Sequence, residues 1–374
     1  MDWTAWREEF PILGRSTYLA TCSLAPLARR VRAAVEQYLD RWDTLGAAAW
    51  YPDWLSALDE LRGMVARVLH ASPDEIAIAP SVSVALSALA SCFDYSDRNE
   101  VVTSALDFPT VPYQFLVKPD VDVRFVETPD GLGVAPAAFG EAVSSKTAMV
   151  ATSHVVFTSG FIQDVGRVAA IAREAGAASV IDAYQSVGQL PVDVRELRVD
   201  ALLTGGLKWL LGGTGVAFLY ARREFAESLR PTIAGWFANA HQFDFNPKVF
   251  EFRRGAGRFE LGTPSVAAIA AASAGLELVL QIGVDRIRDR TTEMTRDLIE
   301  RAEDAGFVVR SPRDDARRAG IVMLQIAEPA RAVQGLLRDG IIVDYRHDRL
   351  RASPYFFTTA EDNQRLVDAA RRFL

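Results

Sequence analysis

Asp182-Ala183-Tyr184-Gln185 and, further on, Thr204-Gly205-Gly206-Leu207-Lys208-Trp209 place a carboxylate and a primary amine at the ends of two short apolar runs. Those runs, Ala178–Asp182 and Asp200–Thr204, have the length and composition of buried strands. Ligands of open α/β sheets bind at the C-terminal ends of such strands. Taken singly, an Asp after a strand is most often a helix cap and a Lys most often a solvated charge. Together and in this order they supply what pyridoxal phosphate requires: an amine to bond its carbonyl carbon and an acid to keep its ring nitrogen protonated. A protonated ring takes up the electron pair left when a bond at an amino acid's Cα breaks.

Ser81-Val82-Ser83 follows an apolar run and opens a helical pattern. The backbone N–H groups there and the Ser83 hydroxyl could hold a phosphate against the helix N-terminus, in the geometry an ordinary serine cap also uses. Strands are expected at Glu75–Pro80, Glu100–Thr103, Val121–Val126, Ala148–Ser153 and Gly215–Tyr220, with helices over Val82–Phe93 and Asp164–Ala175. Asp164 is the expected N-cap of the second helix and Gly176 the glycine just past its end. Continuous apolar strands alternating with helices predict an α/β fold with a mostly parallel sheet covered on both faces. Beyond about residue 260 the pattern changes. Helices are expected from Pro264 and over Val284–Ala305, followed by the strand–helix pairs Ile321–Ile326 with Ala330–Arg338 and Ile341–Tyr345 with Glu361–Phe373. Thr359 and Asp362 have capping-box spacing. The chain therefore divides into a large α/β domain, residues 16–259, and a smaller α+β domain, residues 1–15 and 260–374.

The 374 residues are 49% hydrophobic and 24% charged with a net charge of −7, which excludes a disordered or collagen-like chain and argues against nucleic acid as a partner. Cys22 and Cys92 form neither a disulfide framework nor a metal-binding spacing, and no metal is expected. The opening MDWTAWREEF lacks a signal-peptide core and no run of 18 apolar residues occurs, so a cytoplasmic protein without membrane spans is expected.

The run DAYQSVGQLPVDVRELRVDALLTGGLKWLLGGTGVAFLY resembles the core of the class V aminotransferase superfamily of pyridoxal phosphate enzymes, which includes kynureninase, the cysteine desulfurases and isopenicillin N epimerase-like proteins. The resemblance extends from Tyr18-Leu19 to the C-terminal helix. It implies fold type I, pyridoxal 5'-phosphate as cofactor and an amino acid as substrate. It also implies that Lys208 bonds the cofactor, Asp182 pairs with the ring nitrogen and Gln185 reaches the ring hydroxyl. Val82 and Ser83 would hold the phosphate, and Phe108, in Asp107-Phe108-Pro109-Thr110, would stack on the ring. Gly235-Trp236 and Gly262-Thr263-Pro264 resemble segments whose Trp and Thr approach a phosphate, the Thr that of the neighbouring subunit. Trp236 and Thr263 thus imply a homodimer with a shared site. Arg351, with Arg346 and Arg349 nearby, stands where the family grips the substrate carboxylate.

Departures from the pattern narrow the chemistry. Residues 341–351, IIVDYRHDRLR, lack the Cys that desulfurases carry there. Leu207 replaces the Tyr that precedes the kynureninase Lys, and Val111 replaces the Asp after its Phe-Pro-Ser/Thr run. The expectation is a kynureninase-like lyase, cleaving a Cβ–X or C–S bond or expelling a β or γ leaving group without a protein persulfide, with class V transamination or epimerisation as alternatives. A catalytically silent cofactor-binding protein of the same fold is a further rival, and the retained Lys208, Asp182 and Arg351 argue against it. His154 is either a group near the ring or a core histidine. Cys22 is either a pocket residue or a small buried hydrophobe. The aromatic segments Ala47–Trp54 and Pro231–Gly257 are expected to shape the side-chain end of the pocket, for a substrate with an uncharged side chain.

Overall fold

The computed structural model describes residues 2–374; Met1, the first residue of the segment assigned to the smaller domain, lies outside them. The N-terminal part supplies α1 (Trp3–Arg7), β1 (Thr17–Tyr18), α2 (Arg29–Leu45) and α3 (Trp54–Leu69). Strands and helices then alternate: β2 (Ile76–Ala79), α4 (Val82–Ala90), β3 (Glu100–Ser104), α5 (Thr110–Leu116), β4 (Asp122–Val126), α6 (Pro136–Ala142), β5 (Thr147–Ser153), α7 (Val165–Glu174), β6 (Ala178–Asp182), α8 (Val194–Leu197), β7 (Ala201–Gly205), β8 (Ala217–Ala221) and α9 (Arg223–Ser228). Next come α10 (Val266–Ile282), α11 (Val284–Asp304), β9 (Val322–Gln325), α12 (Pro329–Arg338), β10 (Ile341–Ile342), β11 (Asp344–Arg346), β12 (Arg349–Ala352) and α13 (Ala360–Ala370).

The central sheet has seven strands in the order β2-β8-β7-β6-β5-β3-β4. Only β8 runs against the others, pairing antiparallel with both β2 and β7. Successive side chains of a strand point to opposite faces, and here both faces are covered. Val180, Leu203 and Leu219 pack with α4, whereas Ile181, Leu202 and Phe218 pack with residues of α3, α7 and α10. That two-sided burial is why the strands read as unbroken apolar runs. The helix starts are fixed by caps: Ser81 accepts from Val84 N, Asp164 from Arg167 N and Thr359 from Asp362 N, each worth about 1 kcal/mol.

The C-terminal part forms a three-stranded antiparallel sheet, β11-β12-β9, backed by α11, α12 and α13. It also receives β1, which pairs parallel with β10 so that Thr17 lies opposite Ile341. Residues 17–20, placed by sequence in the larger domain, are therefore joined to the C-terminal part by main-chain pairing, in a separate two-stranded sheet that an isolated bridge from Ala20 to Ser353 extends. Gly160 lies close against the C-terminal part. Its φ is +77°, and a Cβ there would lie 2.6 Å from the Ile321 carbonyl oxygen.

Several local expectations need correction. Helix α4 ends at Ala90, not Phe93, so Cys92 sits in the following turn, half-buried against the α4 core. Ile341–Tyr345 is two strands, because the chain leaves β1 after Ile342 and re-pairs with β12 from Asp344. Strand β12 itself, with its Arg-Leu-Arg-Ala sequence, had no apolar run to announce it. Pro231–Gly257 holds short 3-10 turns and no strand or longer helix.

Candidate active site

Lys208 follows β7 and Asp182 ends the adjacent β6, so strand pairing brings the two groups to one edge of the sheet. Between them and the N-terminus of α4 lies a cavity of about 310 Å³. Its walls include Ser81, Val82, Ser83, Phe108, Asp182 and Gln185 together with Lys208 and Arg351. The C-terminal hairpin closes one side and the Cys22-Ser23 turn another.

Each end of the cavity presents unpaired groups of a particular chemistry. At the α4 end, the N–H groups of Val82 and Ser83 have no acceptor among the described residues. The Ser83 hydroxyl lies 3.2 Å from that of Thr110. Amides at a helix start beside two hydroxyls make a phosphate cradle. At the sheet end, Asp182 Oδ1 accepts from Tyr184 N at 2.9 Å, and Oδ2 has no donor among the described residues. Burial pushes the Asp182 carboxyl up to about 6, against the pull of the Tyr184 amide and the Lys208 charge. A cationic ring nitrogen is the partner such a carboxylate lacks.

The Lys208 amine is buried and makes no ion pair among the described residues. Its Nζ lies 4.4 Å from the centroid of the Tyr184 ring and 5.8 Å from that of Phe108. Burial lowers its pKa to about 8, although Asp182 acts in the opposite direction. Tyr184 fits beneath it because residue 205 is glycine: a Cβ there would stand 2.8 Å from the Tyr184 hydroxyl. The donor set thus fits pyridoxal phosphate, with phosphate cradle, amine and ring-nitrogen partner around one cavity.

Gln185 is held by its neighbours. Its Nε2 donates to the Cys22 carbonyl at 2.9 Å and its Oε1 accepts from the Trp209 indole at 2.8 Å. One N–H remains for the cavity. Phe108 is 42% exposed yet lines the cavity, its ring perpendicular to that of Phe157 with centroids 5.3 Å apart. Arg351 is almost wholly buried, and its guanidinium is already engaged by Asp344 through Nε at 2.7 Å and Nη2 at 2.5 Å. Arg346 also lines the cavity, whereas Arg349 does not and pairs with Asp348.

Two open readings are resolved. His154 does not line the cavity; it is buried, its Nδ1 has no partner among the described residues, and burial lowers its pKa to about 4, so it is a neutral core residue. Cys22 is a cavity residue, and burial raises its thiol pKa despite nearby Arg351. Trp236 and Thr263 are exposed and do not line the cavity of their own chain. Neither do Ala47–Trp54 or Pro231–Gly257. Sequence reasoning assigned no role to Thr110, Tyr184 or Phe157, which line the cavity although each stands in or beside a motif already singled out, and it named Arg346 only as a neighbour of Arg351.

The Aminotransferase class-V family model matches residues 17–365. An uncharacterized aminotransferase of Bacillus subtilis, YcbU, is 34% identical over 97% of this chain and 96% of its own. A kynureninase of Geobacillus thermodenitrificans is 28% identical over 99% of this chain and 91% of its own. Among solved structures, the cysteine desulfurase of Thermococcus onnurineus superposes with a TM-score of 0.88 at 22% identity, over 98% of this chain and 96% of that one.

Proposed function

The chain belongs to the class-V aminotransferase family, and from that premise we propose that it is a lyase that expels a group from the side chain of an amino acid without a protein persulfide, working as a homodimer. The family is one of pyridoxal phosphate enzymes, and pyridoxal phosphate is the cofactor. When bound, it supplies an electron sink for the pair left at the substrate Cα. The chain's own residues supply the rest. Val82 and Ser83 hold the phosphate, Asp182 keeps the ring nitrogen protonated, and Lys208 binds the cofactor and then carries the proton at Cα. Arg351 takes the substrate carboxylate, which fixes the orientation of the Cα bonds.

The observation carrying the lyase reading is the hairpin of β11 and β12. It delivers Arg351 through Asp344-Tyr345-Arg346-His347, with no thiol. The kynureninase relatives support the same reading. Burial raises the pKa of both cysteines, Cys92 to about 12, and only a thiolate attacks efficiently. A Cys22→Ala, Cys92→Ala double variant is therefore expected to stay folded and yellow. It should release product from an amino acid panel, followed by mass spectrometry, within about threefold of the parent rate. Loss of turnover with cofactor retained would restore a thiol mechanism. The aminotransferase relative favours a second reading, transamination, and strict dependence on an added keto acid would establish it instead.

The dimer reading is supported by the surface around Trp236. Its ring stands 6.2 Å from that of Phe245 and 6.1 Å from that of Phe243, and Phe243 is 6.1 Å from Tyr51. All four side chains are exposed, and an apolar patch of this kind marks an interaction surface. Mixing inactive Lys208→Ala protein with an inactive Thr263→Ala variant should rebuild one complete site per hybrid dimer, recovering about a quarter of parental activity on random exchange. Verified hybrids without activity would place Thr263 outside the partner's site.

A further inference from the structure

Arg351 faces the cavity with its guanidinium half occupied. Of five N–H groups, Nε and one on Nη2 donate to Asp344, and one on Nη1 donates to the Phe157 carbonyl at 3.1 Å. One N–H on each terminal nitrogen remains, enough for a single carboxylate. Asp344 does not line the cavity, while Arg351 and Arg346 do, so the carboxylate stands behind the guanidinium and need not leave when substrate enters. It is placed there by register, since Asp344 of β11 is directly opposite Arg351 of β12. Arg346, two residues along the same strand, approaches the same carboxylate with Nη2 3.3 Å from Oδ2. The cluster therefore sets two guanidiniums against one carboxylate, a net charge of about +1 at the cavity wall.

We propose that Asp344 is a specificity-determining residue, cancelling one of the two guanidinium charges and fixing the free side of Arg351 so that the pocket accepts an amino acid with one carboxylate and an uncharged side chain. This rests on the reading of Arg351 as the group that takes the substrate carboxylate. One α-carboxylate neutralises the cluster. A second, on an acidic side chain, leaves an uncompensated negative charge in a largely buried site, where it is costly. Discrimination thus comes from a built-in repulsive element as well as from an attractive one.

The test titrates the cofactor-loaded enzyme with L-alanine and with L-aspartate and follows the visible cofactor band. The parent is expected to half-saturate at lower L-alanine than L-aspartate. Asp344→Asn should shift that ratio toward L-aspartate by about tenfold or more, and Asp344→Glu should restore it in part. Arg346→Gln, which leaves the pair of Asp344 with Arg351 intact, should move the ratio the opposite way and serves if Asp344→Asn does not fold. A ratio indifferent to both substitutions, in proteins that melt like the parent, overturns the proposal alone. A parental band moved by neither amino acid overturns the Arg351 reading, and the proposal with it.

Discussion

Lys208→Ala is expected to lower turnover by about 10⁴-fold or more, because in the proposed mechanism the residue both bonds the cofactor and moves the proton at Cα. The chain has three other lysines, Lys118, Lys146 and Lys248, and none lines the cavity. Borohydride reduction of the loaded parent should therefore leave the pyridoxyl group on the Lys208 peptide alone. Labelling of another lysine would refute the assignment. The pH dependence follows from burial. With a pKa lowered to about 8, roughly a tenth of the Lys208 amines in the cofactor-free protein are neutral at pH 7. The neutral fraction, and with it the rate of cofactor uptake, should rise about tenfold per pH unit from pH 6 and flatten above about 8. A rate flat across that window would mean that another step limits uptake or that the amine is not the nucleophile.

Asp182→Asn is expected to cost about 10³-fold in turnover. The substitution keeps the volume and can keep the bond from Tyr184 N. It removes the negative charge that, in the proposed mechanism, favours a protonated ring, so the sink for the Cα electron pair would be lost. Its effect on stability should have the opposite sign. In the cofactor-free protein the Asp182 carboxyl is raised from 3.8 to about 6 by burial. A group whose pKa is raised on folding is favourable when protonated, and that contribution is lost as pH rises through the folded value. The cofactor-free variant should therefore melt higher than the parent at pH 8 and show no such gain at pH 4. Near-parental turnover would sink the electron-sink role; equal melting at both pH values would mean that Asp182 is not penalised by burial.

The pairing of Lys208 with Asp182 was legible because each is fixed by local sequence, a short buried strand followed by a polar residue at its end. Ser81 was legible for the same reason, as a cap between strand and helix. What sequence reasoning did not reach depends on non-local geometry. The grip on Arg351 comes from a cross-strand partner, and β12 is a four-residue strand in which a buried arginine stands where an apolar residue would have announced it. Helices α2 and α3 lie in a stretch whose charged pattern drew no assignment. Tyr184 read as part of a motif, but its place under Lys208 depends on the missing Cβ of Gly205 at the end of the neighbouring strand. Trp236 and Thr263 do not reach the cavity of their own chain, so a single subunit does not position them at a site and only the resemblance assigns them one.

The pairing of β1 with β10 orders events during synthesis and refolding. Thr17 meets Ile341, more than three hundred residues later, and closing so long a loop is entropically costly until other contacts have formed. The elements that carry or lead into Ser83, Asp182 and Lys208 are all complete by Ala221. The cofactor cradle can therefore assemble while the C-terminal segment is still leaving the ribosome, and the hairpin that brings Asp344 and Arg351 docks afterwards. In a refolding experiment, cofactor colour should return in an earlier phase than the capacity to recognise a carboxylate.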